Sequence, residues 1–259
     1  MSASQAVIAC ENLLEQAQSV MASSEAAGFP ARNAWDGVTT TIWQPNGTGD
    51  QTLMAVFASA VTADFFGCYV HNLASAGASI VLQYSTDGGN TWSNCFTPLS
   101  PADNACVLQR FPATSASQWR ILAHNAVAPL YLGVLAFGAA MVTYRGMPVG
   151  FVPPAEAQVA TIIPNTTEGG AFAGRSVIPL GADTPILINF VPMDWVRTVW
   201  RPFIQRAQGK PFFFSWNHRD FPEECVFAMA KAPIPAPQMN DYKLYTLNLP
   251  IQCLMGAGL

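Results

Sequence analysis

Asn33, Asp36, Thr41 and Trp43 lie close together in Ala31-Arg-Asn-Ala-Trp-Asp-Gly-Val-Thr-Thr-Thr-Ile-Trp43, and two chemistries fit their spacing. A short acidic turn ending in Gly37 can wrap a hard cation with backbone carbonyls and one carboxylate, a weak site because calcium takes six or more oxygens. Equally, Asp36 can cap its own turn through an Asx hydrogen bond while Trp43 fills the core. Trp35 and Phe29, aromatic residues beside this turn, could stack on sugar rings, or fill an interface or the core. A second acidic turn, Asp87-Gly-Gly-Asn90, reads as hairpin chemistry because one carboxylate in a tight turn is a poor cage.

Catalytic signals are weak. His71, His124 and His218 have no histidine or cysteine at metal-ligand spacing. There is no Gly-x-Ser-x-Gly nucleophile elbow, no phosphate-binding loop and no dinucleotide fingerprint. Glycoside hydrolysis needs two carboxylates across a cleft. Glu223-Glu224, the only adjacent acidic pair, reads as a loop end before a strand, so no enzymatic activity is expected.

Charged residues make up 11% of the chain and apolar residues 51%, against about a quarter charged in ordinary domains. A surface so poor in charge points to coverage by partners or by copies of the chain, the alternative being a compact, neutral monomer decorated with Thr, Ser and Asn. A net charge of −4 with only 12 basic residues, scattered along the chain, argues against nucleic-acid binding. No apolar run reaches the roughly 18 residues of a membrane-spanning helix. Met1-Ser-Ala-Ser lacks the basic start of a secretory leader, so a reducing compartment is expected. There Cys10, Cys68, Cys95, Cys106, Cys225 and Cys253 would be free, mostly buried thiols.

The elements that must position these residues are β-strands. Short apolar runs punctuated by turn signals fill residues 30–144, with candidate strands at 52–57, 65–71, 79–85, 105–111, 118–123 and 130–142. Gln5 to Met21 has helical composition, but Ser23-Ser24, Gly28 and Pro30 follow at once and oppose a helix. Gly146-Met-Pro-Val-Gly-Phe-Val-Pro-Pro154 reads as a linker, which divides the chain into 1–145, 146–154 and 155–259. Beyond it come strands, then a helix over 195–207 with Asp194 as N-cap and Gly209 as its stop. Its predicted buried stripe is Trp195, Val199, Phe203 and Ile204. The expected fold is mainly β: an N-terminal jelly-roll sandwich joined to a C-terminal α+β unit, an antiparallel sheet with one flanking helix.

Asn12-Leu-Leu, Met21-Ala-Ser-Ser, Ala31-x-Asn-Ala-x-Asp-Gly37 with Thr41-x-Trp43, Leu82-Gln-Tyr-Ser-Thr-Asp-Gly88 with Trp92, and Gln118-Trp-Arg-Ile-Leu122 together resemble the discoidin family. These coagulation factor 5/8 type C domains are galactose-binding-like jelly rolls. The resemblance spans about residues 10–142 and lacks the family's end-to-end disulfide. It implies loops that bind glycans, lipids or proteins, and a calcium turn at Asn33, Asp36 and Thr41. Residues 194–253, with Gly209-Lys-Pro-Phe-Phe-Phe-Ser-Trp-Asn217 after the Trp-rich helix, are similar to minor tail and tail-tube-like proteins of tailed bacteriophages. That similarity implies a virion tail-tip or baseplate subunit, assembled in the host cytoplasm as a trimeric or hexameric ring with other tail proteins. Its jelly roll would act as a spacer or contact a host-surface glycan. The alternative expectation is a carbohydrate-binding module.

Overall fold

The computed structural model describes residues 5–254, and the backbone alone of residues 178–180. The first four residues, read above for a leader, lie outside it. Fourteen strands follow in chain order among the described residues: β1 (Gln5–Ala9), β2 (Ser19–Ala22), β3 (Gly49–His71), β4 (Ser79–Ser85), β5 (Ser93–Asn94), β6 (Val107–Ala126), β7 (Leu132–Gly138), β8 (Met141–Gly146), β9 (Gln158–Thr166), β10 (Phe172–Pro192), β11 (Phe212–Ser215), β12 (Cys225–Ala230), β13 (Gln238–Asp241) and β14 (Leu244–Leu254). The fold is mainly β and antiparallel, as expected.

The jelly roll is built from β2-β3-β6-β4-β5, with β7 on the far half of β3. The long strands β3 and β6 join pairs of runs that the sequence presents separately. Register shifts at Val56/Val61 and Ala63/Phe65 bend them, so one half of β3 pairs with β2 and the other with β7. Pro112 falls within the second shift, where its missing N–H costs no ladder bond. Trp43, Leu53, Phe66, Leu82, Trp119 and Phe137 fill the interior.

The second sheet runs β8-β1-β11-β12-β14-β10-β9, with β13 added on β14. Its membership differs from a division at residue 145. Both β1 and β8 come from the stretch read as the first unit, yet Val7 pairs with Ser215 on one side and Val142 on the other. The physical reason lies in the continuous apolar run Ala6–Ala9, the pattern of a central strand covered on both faces. Ala6 and Ile8 face the helix side; Val7 and Ala9 face the jelly roll.

The helix also departs from expectation. Asp194 lies in its first turn and Pro192 precedes it without a side-chain cap. The residues α1 (Met193–Trp195) lead through a π turn (Val196–Trp200) into α2 (Arg201–Ala207). Pro202 has no N–H for the carbonyl one turn back and its ring crowds that carbonyl, which a widened turn relieves. The observed buried stripe is Val196, Trp200, Phe203 and Ala207, packed on Ile186, Phe212, Phe214 and Leu249. Trp195 and Ile204 flank it, half-buried. Gln208 is the C-cap, and the Gly209 N–H donates to the Arg206 carbonyl at 3.2 Å.

The two layers meet through Phe65, Tyr69, Leu108, Val134 and Ala136 of the jelly roll and Val7, Phe213 and Phe227 of the second sheet. Phe213 lies directly on Gly67: a Cβ there would stand 2.7 Å from its ring.

Candidate functional site

The turn singled out in sequence is tied down by its own polar groups. Asp36 Oδ1 accepts the Val38 N–H at 2.8 Å, and Oδ2 accepts the Thr41 hydroxyl at 2.9 Å. Asn33 Nδ2 donates to the Ile42 carbonyl at 2.9 Å. Trp43 is buried, and its indole N–H donates to the Ser24 carbonyl at 3.0 Å. This is the Asx-turn arrangement. It does not fit calcium: one carboxylate is present, both its oxygens already close the turn, and the Asn33 amide points its N–H₂ at a carbonyl. Among the described residues no three His, Cys, Asp or Glu side chains gather to hold a metal. The other acidic turn behaves alike. Asp87 accepts from the Thr91 N–H at 2.9 Å, the Thr91 hydroxyl at 2.6 Å and the Ser85 hydroxyl at 2.7 Å. The Thr91 contacts, helped by Ser85, hold its carboxyl down at about 2.

Trp35 and Asp36 instead line a cleft of about 520 Å³ where the jelly roll meets the second sheet. That volume falls in the range of small-molecule sites, about 300–1,000 Å³. Asn12 and Glu15 come from the segment after β1, and Lys210 from the turn before β11. Val134 and Phe227, both members of the inter-layer core, also line it. Glu15 and Lys210 form an ion pair across the mouth. Asn12 is fixed on both sides: its Oδ1 accepts the Leu14 N–H at 3.2 Å and its Nδ2 donates to the Leu135 carbonyl at 3.0 Å. Trp35 packs against the jelly-roll interior and is only half-buried. Its indole N–H has no protein acceptor among the described residues.

Of the residues predicted from sequence, the structure thus gathers Trp35 and Asp36. Asn33 and Thr41 brace the loop behind them, and Phe29 stands apart, 39% exposed on its own turn. Sequence reasoning missed Glu15 and Lys210, because nothing local says that a turn from the second sheet faces the loop of the first.

His71 is also fixed at this level. It is buried at the end of β3, with Nδ1 accepting the Leu73 N–H at 3.3 Å and Nε2 2.7 Å from the Ala105 carbonyl. Nδ1 being an acceptor places the hydrogen on Nε2. Burial pushes its pKa below the ordinary value, outweighing the Ala105 hydrogen bond and the charge of Asp103. The neutral form is therefore favoured in the fold. Stability is full above the unfolded pKa, near 6.5, and is lost as pH falls through the lower folded value. Urea unfolding between pH 8 and 5 should show this loss, and His71→Gln should flatten it; an unchanged slope would contradict the assignment.

No protein-family model and no curated protein matches the chain. Solved structures resemble about half of it. A chitosan-binding module of a Paenibacillus sp. IK-5 chitosanase/glucanase is 25% identical, with a TM-score of 0.42 over 49% of this chain and 98% of that one. A Clostridium perfringens family 32 carbohydrate-binding module, solved with GalNAc-β-1,3-galactose, is 18% identical, with a TM-score of 0.42 over 50% of this chain and all of that one. A pectin-binding module is 18% identical, with a TM-score of 0.39 over 51% of this chain and 95% of that one. The tail-tube resemblance of residues 194–253 finds no support in these comparisons.

Proposed function

We propose that this chain is a carbohydrate-binding protein whose site is the cleft at the layer junction. One observation carries the reading. A half-buried indole with an unused N–H shares one concave site with a carboxylate, a carboxamide and an ammonium group. A pyranose offers an apolar face for the ring and hydroxyls for the polar groups. Binding without turnover is the expected outcome, since Glu15 is engaged by Lys210 and Asp36 by its own turn. Screening the full chain on an array of bacterial surface glycans tests this. Trp35→Ala should weaken neutral-glycan hits at least tenfold, whereas an array without neutral-glycan hits would count against the reading.

A second reading, a structural subunit of a bacteriophage tail tip or baseplate, is favoured by a different observation. The β9–β10 hairpin extends from the sheet edge with every β9 residue exposed, including Val159, Ile162 and Ile163, and with Phe172 69% exposed. An isolated two-stranded ribbon is marginal in water, so such an arm gains by being covered. In this reading the chain forms a trimeric or hexameric ring in the virion, with the glycan site facing the host. Light scattering on the purified protein separates the two: a defined ring supports the tail reading, and a monomer confines function to the sugar site.

A further inference from the structure

Outside the cleft, the open face of the jelly roll carries a cross-strand row that neither the Asx turn nor the cleft uses. Met21, Met54, Arg120, Gln83 and Asn94 are successive register partners across β2, β3, β6, β4 and β5. The guanidinium of Arg120 lies 4.4 Å from the centre of the Trp92 ring, in cation–π geometry. Its Nε and Nη2 both donate to Gln83 Oε1, at 2.8 and 2.6 Å. Gln83 is buried, and its Nε2 in turn donates to Asn94 Oδ1 at 2.7 Å.

This arrangement orients a cation without neutralising it. No carboxylate among the described residues lies within ion-pair distance of Arg120. Gln83 occupies the Nε–Nη2 edge and Trp92 one face, which leaves the Nη1–Nη2 edge, one of the two edges that can take a carboxylate through two parallel hydrogen bonds. A side chain this long, held by a stacked ring and a buried amide, has already lost the rotamer freedom that binding would otherwise cost. On the other side of the row, the partly buried Met54 and the half-exposed Met21 are register partners and form an apolar shelf.

We infer that Arg120, set by Trp92 and Gln83, binds the carboxylate of a uronic acid residue, whose ring lies along the shelf of Met54 and Met21. The chemistry selects this ligand twice: the planar fork matches a carboxylate, and the shelf matches the C–H face of a pyranose. A small carboxylate such as acetate would satisfy only the fork. The inference stands apart from the cleft reading, because none of these residues lines the cleft.

The test is titration of the ¹⁵N-labelled full chain with trigalacturonate, following the Trp92 indole and Gln83 amide signals. Both should shift, and Arg120→Lys should weaken the affinity at least tenfold while keeping the charge. Tyr242→Ala, in the exposed turn between β13 and β14, should leave it unchanged, and a loss on Trp35→Ala would move the site to the cleft and overturn the inference. Neutral galactotriose and inorganic sulfate should bind at least tenfold more weakly than trigalacturonate. Should Arg120→Lys fail to fold, the wild-type shift map with trigalacturonate, acetate and galactotriose still decides. Equal affinity for acetate or galactotriose would overturn the inference, as would Trp92 and Gln83 signals that do not move.

Discussion

Placing a side chain at Gly67 is expected to unseat the two layers from each other. Gly67 lies within β3 and is not among the glycines with positive φ, so the cost is steric and not conformational. An added Cβ would stand 2.7–2.8 Å from three ring carbons of Phe213. That ring cannot turn aside cheaply: it is buried and packs on Phe227 with centroids 5.0 Å apart. Overpacking of this kind costs about 1–3 kcal/mol, with Gly67→Val above Gly67→Ala. Phe213→Leu alone leaves a gap and should also destabilise. Combined with Gly67→Ala, it should cost less than the sum of the two, since the leucine vacates space that the new methyl fills. Urea unfolding of the four-member cycle measures this, and strict additivity would mean that the contact does not hold the layers. Because Val134 and Phe227 belong to both the junction and the cleft, Gly67→Val should also weaken glycan binding.

Trp43→Ala should be more damaging still. The side chain is fully buried, so its removal opens a large cavity costing about 3–5 kcal/mol. It also strips the Ser24 carbonyl of its donor. The backbone of Trp43 pairs with Leu132 in both directions, at 2.8 and 2.9 Å, anchoring the end of the 31–43 loop to β7. Losing the indole therefore loosens the loop that presents Trp35. A fall in melting temperature on the order of 10 °C is expected, measured by calorimetry. A shift of a degree or two would place Trp43 outside the core.

What was legible in the sequence followed local rules. Ser79–Ser85 emerges with the bounds its apolar run and flanking turn signals predict, and Asp36 and Asp87 close their turns as Asx chemistry requires. Strict alternation in Gln118-Trp-Arg-Ile sends Trp119 into the core and Arg120 to the open face. What was not legible depends on residues distant in sequence. Nothing in Ala6–Ala9 names Phe213 and Phe214 as partners, so the first strand could not be assigned to the last sheet. Pro202 lies inside the helix predicted over 195–207, and packing of Trp200 and Phe203 against the sheet accompanies a helix that widens there instead of ending. For the site, Trp35 and Asp36 carried a local signal, whereas Glu15 and Lys210 acquire meaning only once the two layers are docked.

The most direct measurement is calorimetric titration of the best neutral array glycan into the wild type, Trp35→Ala and Phe29→Ala. Both aromatics sit on neighbouring loop segments, but only Trp35 lines the cleft. Binding lost in Trp35→Ala and retained in Phe29→Ala is expected. Full affinity in Trp35→Ala, with its melting temperature unchanged, would contradict a sugar site at the layer junction.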